Sequence, residues 1–431
     1  MSSSESGNES PSDFKPCDTE KAPEVTQTDP ATFEKAPDGG LRAWLVAAAG
    51  FCFTFCCLGI TMCFGVFQQY YSAHMLRDES PDKIAWIGSI AAFIQFLAGA
   101  VSGPLFDRYG MIITYPAAVL YILGLMMLSL CTKYFHFILV QGLVIGISTS
   151  MIQLPAFAAA SQFFDKKRGA ALGIVVSGSS IGGVVFPIAF SKMLNDSTLG
   201  FGWSVRIMAF AVIPLVIFAS LTMRARLPPR KTNFLLPSAF KDRKYVCLVA
   251  GLALMFLGMN TPIYFLPTYA VSKGVNPVLA SYLIAIVNGS STFGRIIPGF
   301  LADKLGRFNV FACGGIFTGI CVLCLSSVDS TPGLVVYSIF FGISSGMIIS
   351  GGSTALTVCA KNPQDFGTYM GMGMAVASVS VLIGPPINGA LIEKYHGYTE
   401  LSIFSGVVCL AGGVVAAISK TSMPGGILGR S

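Results

Sequence analysis

Three groups of residues in this chain have types and spacings suited to chemistry. Asn288, Ser291 and Arg295 recur at i, i+3 and i+7 inside an apolar run, so a helix there presents them on one face. A guanidinium grips a carboxylate through two parallel hydrogen bonds, which makes Arg295 and its two polar neighbours a candidate substrate-binding face. The alternative is an arginine that snorkels to an interface or caps backbone carbonyls. The second group is a duplicated loop, Gly103-Pro-Leu-Phe-Asp107-Arg108-Tyr-Gly110 and Gly299-Phe-Leu-Ala-Asp303-Lys304-Leu-Gly306. In each copy glycine permits a tight turn and the aspartate suits the free amides of a neighbouring helix start. The base that follows suits a carboxylate or carbonyls, and an exposed turn is the plainer reading. The third group is Cys321 and Cys324, but no base stands beside them to hold a thiolate. All twelve cysteines except Cys17 lie in or beside apolar runs and read as packing residues. No catalytic residue, metal-ligand set or cofactor motif is identified.

Around these groups the chain is strongly apolar: 53% of the 431 residues are hydrophobic and only 11% charged, against about 25% charged in a soluble domain. A spanning helix takes about 20 residues, and twelve apolar segments are visible, near 43–70, 84–105, 111–132, 135–161, 168–191, 204–223, 245–270, 278–302, 309–328, 332–358, 367–392 and 400–419. The expected class is an all-α membrane protein of twelve transmembrane helices in two six-helix bundles. Residues 1–37, rich in Ser, Pro, Glu and Thr, predict a disordered cytosolic tail. Residues 38–223 and 245–420 are the expected bundles, 224–244 the cytosolic loop between them and 421–431 a cytosolic tail. The duplicated loops, 196 residues apart, fall at equivalent places in the two halves.

The net charge of +7 divides unevenly, because residues 1–40 hold nine acids against three lysines. Basic balance here reads as membrane orientation instead of a nucleic-acid partner. Seventeen bases fall on the side of the termini, among them Lys166, Lys167, Arg168 and Arg307, against seven on the other. Both termini are therefore expected in the cytosol, in a multi-pass protein of the plasma membrane in preference to the vacuolar one.

The duplicated loop in paired halves resembles the major facilitator superfamily over residues 38–420. That resemblance implies that Asp107, Arg108, Asp303 and Lys304 close the cytosolic gate. Two further stretches narrow it. Asp38-Gly39-Gly40-Leu41-Arg42-Ala43-Trp44 resembles the motif leading into helix 1 of monocarboxylate porters, especially fungal ones. Phe163-Phe164-Asp165-Lys166-Lys167-Arg168-Gly169, continued by Gly173, Gly178 and Gly182, is similar to that family's motif before and within helix 5. Trp44 is placed to anchor helix 1 at the interface, and the three glycines to give helix 5 a face for close packing.

The family also has an arginine at the place of Arg295, which serves there as a carboxylate ligand. Its helix-8 aspartate is replaced here by Ser291, and its helix-1 lysine aligns with Met62. No acid lies deep in a segment, so few proton carriers remain. Gln95, Gln141, Gln153, Asn260, Ser290 and Asn388 are polar at depth and either line a cavity or bond between helices. The reading is a secondary transporter, not an enzyme, whose partners are the bilayer and a small organic anion, a monocarboxylate, with or without protons. The alternative is efflux of a fungal metabolite, neutral included, which the loss of the lysine and the aspartate favours. Cysteines placed in the 224–244 loop and in the tail should react with an impermeant maleimide only after permeabilisation; labelling of either in intact cells would reverse the orientation.

Overall fold

A computed structural model of the chain describes residues 36–195, 198–230 and 234–420, so the expected tails lie almost wholly outside the described residues. Among the described residues, ten helical stretches are long and apolar enough to cross a membrane, and one of them, Lys83–Leu128, is 46 residues long. At 1.5 Å per residue it would measure about 69 Å, more than twice a ~30 Å hydrocarbon core. It is two crossings, turned at Gly110, whose φ of 65° suits glycine and no ordinary side chain. Pro277–Leu305, a further helix of 29 residues, completes twelve.

In chain order the crossings are α1, Leu41–Met75; α2, Pro81–Leu97 continued by Gly99–Tyr109; α3, Thr114–Leu128; α4, Tyr134–Phe163; α5, Arg168–Asn195; and α6, Gly200–Thr222. After the connecting segment come α7, Arg243–Ser272; α8, Pro277–Leu305; α9, Arg307–Cys324; α10, Thr331–Cys359; α11, Phe366–Tyr395; and α12, Thr399–Ser419. Local chemistry sets several boundaries. Asp242 accepts the Lys244 amide at 3.0 Å and starts α7, and Ser330 accepts the Gly333 amide at 3.2 Å and starts α10. α7 breaks at Asn260, where Pro262 cannot donate to the ladder.

Large apolar side chains such as Leu123, Leu221 and Phe340 stay on the outside, which suits hydrocarbon in place of water. The helices meet through glycine. A Cβ on Gly59 of α1 would stand 2.7 Å from Gly182 Cα of α5, and Gly178 lies against the Phe51 carbonyl. Gly173 instead faces α8, where a Cβ would stand 2.5 Å from the Arg295 carbonyl oxygen. The single glycine face expected on α5 is therefore two faces. Five residues of helix turn about 500°, which carries Gly178 round to the opposite partner from Gly173. The internal polar residues bond between helices: Gln95 to Gln153 at 2.9 Å, Tyr71 to Gln141 at 2.9 Å, and Asn388 to Thr261 at 2.6 Å and Ser405 at 3.0 Å. Asn260 and Ser290 bond carbonyls of their own helices, Phe256 and Val287, and Ser290 also reaches the Ser338 carbonyl of α10 at 3.4 Å.

The packing predicts a contrast. Gly178→Val should lower stability by about 1–3 kcal/mol through overpacking against α1. Gly39→Ala, with nothing within 4 Å of its Cβ, should stay within about 0.5 kcal/mol. Thermal unfolding in one detergent checks both, and equal losses would contradict the packing described.

Candidate functional site at the seam between the halves

The two halves touch where α2 meets α11 and where α8 meets α5. Asp107 stands near the end of α2 and its carboxylate crosses to the start of α11. Oδ1 accepts from the Gly367 amide at 3.0 Å, and Oδ2 accepts from the Thr368 amide and hydroxyl at 2.6 Å each. Those amides have no acceptor within their own helix and sit at the positive end of its dipole. The approach needs glycine: a Cβ on Gly367 would lie 2.6 Å from both the Gly103 carbonyl oxygen and Asp107 Oδ1.

Asp303 repeats the arrangement against α5, its two oxygens accepting from the Gly169 amide at 2.8 Å and the Ala170 amide at 2.9 Å. Gly299 opposes Gly169 there, as Gly103 opposes Gly367. Arg108 and Lys304, expected beside these aspartates, take no such place. Arg108 is exposed with its guanidinium 5.8 Å from the Tyr109 ring centroid. Lys304 is exposed on a cleft of about 710 Å³ that Asp165, Lys166 and Arg307 also line. Consecutive helix residues point about 100° apart, so a base directly after a seam-facing aspartate turns away from the seam. Other bases meet the aspartates: Arg230 Nη1 lies 3.9 Å from Asp107 Oδ2, and Arg307 Nε 3.6 Å from Asp303 Oδ1.

The two motifs that resembled one family meet in space. Asp38 Oδ1 accepts from the amides of Asp165, Lys166 and Lys167 at 2.6, 2.7 and 3.3 Å. The Asp38 amide in turn donates to the Phe163 carbonyl at 3.1 Å. Positive φ at Asp38 and Gly40, 52° and 87°, makes the turn that allows this, and Gly39 between them has open space at its Cβ position. Trp44 packs on Phe164 at 5.0 Å between ring centroids. Lys166 contributes its amide while its side chain is exposed. Arg168 is buried; it donates to the Phe164 carbonyl at 3.0 Å and Asp165 at 3.1 Å, and lies 4.6 Å over Phe366 of the other half. Arg307 also donates to the Asp165 carbonyl.

Arg295, Ser291 and Asn288 share the face of α8 turned to α5. Asn288 Nδ2 donates to the Gly183 carbonyl at 3.1 Å, and Ser291 is buried. Arg295 Nη1 donates to the Val176 carbonyl at 2.9 Å and to the Ser179 hydroxyl. Its Nε is buried with no hydrogen-bond partner. Among the described residues no carboxylate comes within ion-pairing distance of it. A guanidinium with an idle donor and no fixed counter-ion can bind an acidic group or serve as a strut between the halves.

Sequence reasoning missed Arg230, Asp365, Thr368 and Ser179 as seam residues. One signal was present beside Asp365 and Thr368: Gly367-x3-Gly371 repeats the spacing of Gly169-x3-Gly173, with an acid two residues ahead in one copy and four in the other.

Twelve crossings in two halves, joined by aspartates that cap helices across the seam, define a polytopic membrane transporter fold. Residues 49–363 and 290–425 match the Major Facilitator Superfamily, and the chain belongs to that family. It is similar to the aspyridones efflux protein apdF of Emericella nidulans, 47% identical over 90% of this chain and 79% of that one. It is also similar to the agnestins efflux protein AgnL12 of Paecilomyces divaricatus, 41% identical over 90% of this chain and 89% of that one. The crystal structure of the human organic anion transporter MFSD10 shares the fold, with a TM-score of 0.69 at 13% identity over 88% of this chain and 100% of that one. These relatives establish the superfamily and a transporter; they do not carry the narrower likeness to monocarboxylate porters.

Asp107→Asn should open the face bearing the termini more than Asp303→Asn does, because Asp107 is the more buried carboxylate and receives three donors. Loss of a charge at a helix start, roughly 0.3–2 kcal/mol, corresponds to a rise in the open population of about two- to thirty-fold. The labelling rate of a cysteine at Asn288 from that face measures it; unchanged rates in both variants would reduce these loops to turns.

Proposed function

We propose that this protein exports a fungal-type secondary metabolite by alternating access, the two halves rocking about a site near the bilayer midplane. The observation that carries this reading is the pair of relatives named for efflux of such metabolites, at 47% and 41% identity across nine-tenths of the chain. The expected monocarboxylate gives way to the metabolite, and the α8 face agrees with that change. Where the resembling family has a lysine and an aspartate, this chain presents Met62 and Ser291. The ionisable group left on that face is Arg295, already engaged with Val176 and Ser179. Asn288, Ser291 and Arg295 remain the substrate-facing residues of the reading. The idle Nε suits a metabolite with an acidic hydroxyl, enol or carboxyl as one of its groups. A proton, where one accompanies the substrate, rides on the substrate, since among the described residues no carboxylate pairs with Arg295. The termini lie in the cytosol and the membrane is the plasma membrane, which fits export out of the cell.

Export into inside-out vesicles tests the reading, with an aspyridone, the metabolite for which one relative is named, as the probe. Wild-type protein should accumulate it at least about ten-fold over empty vesicles, while labelled lactate and pyruvate stay at background. Arg295→Ala should lose nearly all of that export, and Arg295→Lys most of it, because an ammonium cannot reproduce the planar fork. Saturable monocarboxylate uptake without metabolite export would return the substrate to the carboxylate class. Wild-type export by a well-expressed Arg295→Ala protein would leave Arg295 only a strut.

A further inference from the structure

The segment after α6 does not simply span the gap between the halves. Arg226 and Leu227 donate their amides to Gln162 Oε1 of α4 at 2.9 and 3.2 Å, and Arg226 Nε donates to the Gln162 carbonyl at 2.7 Å. Three residues on, the Arg230 amide donates to the Asp107 carbonyl at 2.7 Å. Every one of these bonds is to the first half. The opposite contacts are to the second half: Gln364 Nε2 donates to the Pro228 carbonyl at 2.9 Å, and Arg230 Nη1 donates to Asp365 Oδ1 at 2.7 Å. Arg230 is 4% exposed, so this ion pair is held out of water, where it is screened little by salt.

We propose that Arg230 is a latch that holds the halves together on the face bearing the termini. Its backbone and the residues before it are sewn to α2 and α4, so they travel with the first half when the seam opens. Asp365 immediately precedes α11 and travels with the second. The bond between Arg230 Nη1 and Asp365 must therefore break in each opening, together with the Asp107 bonds to Gly367 and Thr368. Arg230 acts on both, because the same nitrogen lies 3.9 Å from Asp107 Oδ2 and adds positive charge beside the carboxylate that caps α11. The seam between α8 and α5 takes its base from the second half itself: Arg307 lies on Asp303 four residues away and donates across to the Asp165 carbonyl. What sets the α2–α11 seam apart is a base supplied by the connecting segment and paired with a carboxylate of the other half. The inference rests on the alternating-access reading but not on which substrate is carried.

The test is hydrogen–deuterium exchange of the full chain in lipid nanodiscs, read at the first turn of α11, with export measured on the same variants. Asp365→Asn removes the cross-seam half of the latch and leaves Arg230 beside Asp107. It should raise exchange at Gly367 and Thr368 about ten-fold, the loss of one charge-assisted hydrogen bond. Arg230→Gln should do at least as much, and Arg230→Lys, which keeps the charge, should recover most of the protection. The Arg230→Gln/Asp365→Asn pair should exchange no faster than Arg230→Gln alone, since both act on one bond. Exchange at Gly169 and Ala170, across the other seam, should change less than two-fold. Unchanged exchange at α11 in Asp365→Asn and in folded Arg230→Gln, with a rise in Asp107→Asn, would overturn the latch and leave alternating access standing. Normal latch behaviour with no export of the metabolite would overturn the substrate reading alone.

Discussion

Everything at the seam depends on one interaction: a carboxylate at the end of one helix satisfying the first amides of a helix in the other half. A helix start buried between bundles has donors that water cannot reach, and leaving them unpaired would cost several kcal/mol. Asp107 and Asp303 supply the acceptors and at the same time meet the positive ends of two dipoles. The requirement spreads outward. For a carboxylate to reach across, the backbones must come almost into contact, and so Gly103, Gly367, Gly299 and Gly169 are fixed as glycine. For the receiving helix to begin at that spot, the loop before it must be held, which Asp38 does for α5 by accepting three of its amides.

The halves are related but not equal, and the inequalities fall where transport would use them. Counting 196 residues back from Arg295 reaches Gly99, which packs its carbonyl against Gly371 as Arg295 packs its own against Gly173. The backbone arrangement is common to both seams, and one carries a guanidinium where the other carries hydrogen. The bases that reinforce the two aspartates also differ in origin. Arg307 starts the helix after its aspartate, whereas Arg230 arrives on the segment between the halves.

The interior is polar without being charged. Gln95 with Gln153, and Asn388 with Thr261 and Ser405, satisfy one another between helices. Such bonds hold a bundle together in lipid, where apolar contact alone gives little preference for protein over hydrocarbon. They also leave those amides fewer free groups to offer a substrate. Among the described residues, uncommitted hydrogen-bonding groups on α5 and α8 include the Ser180 hydroxyl and Arg295 Nε, both buried with no partner. Cost explains the scarcity of such groups: an unpaired charge inside a membrane is expensive and persists where it is used or well solvated by carbonyls.

How much of this was legible in the residues follows from the range of each interaction. Composition and segment length determine a twelve-crossing helical membrane protein, because hydrocarbon tolerates no unpaired backbone and sets the length of each helix. The spacing of Gly103 to Asp107 and of Gly299 to Asp303, duplicated at the same offset, marked the two aspartates that meet the other half without any structure, since tight turns and helix capping are local demands. The i, i+3, i+7 spacing likewise placed Asn288, Ser291 and Arg295 together, by helical geometry alone. Spacing could not say what those residues would meet. Arg108 and Lys304 stood next to the aspartates in the chain, yet one step along a helix turns a side chain out of the seam. Arg230 is 123 residues from Asp107 and 135 from Asp365, and it meets both in space. Asp38 and the Asp165–Lys167 amides are similarly remote in sequence and bonded in the fold. The residues alone determined the helices and which of their faces are polar; the pairing of those faces across the seam was decided by packing, because ion pairs and capping bonds depend on distances of a few ångströms that only the folded chain sets.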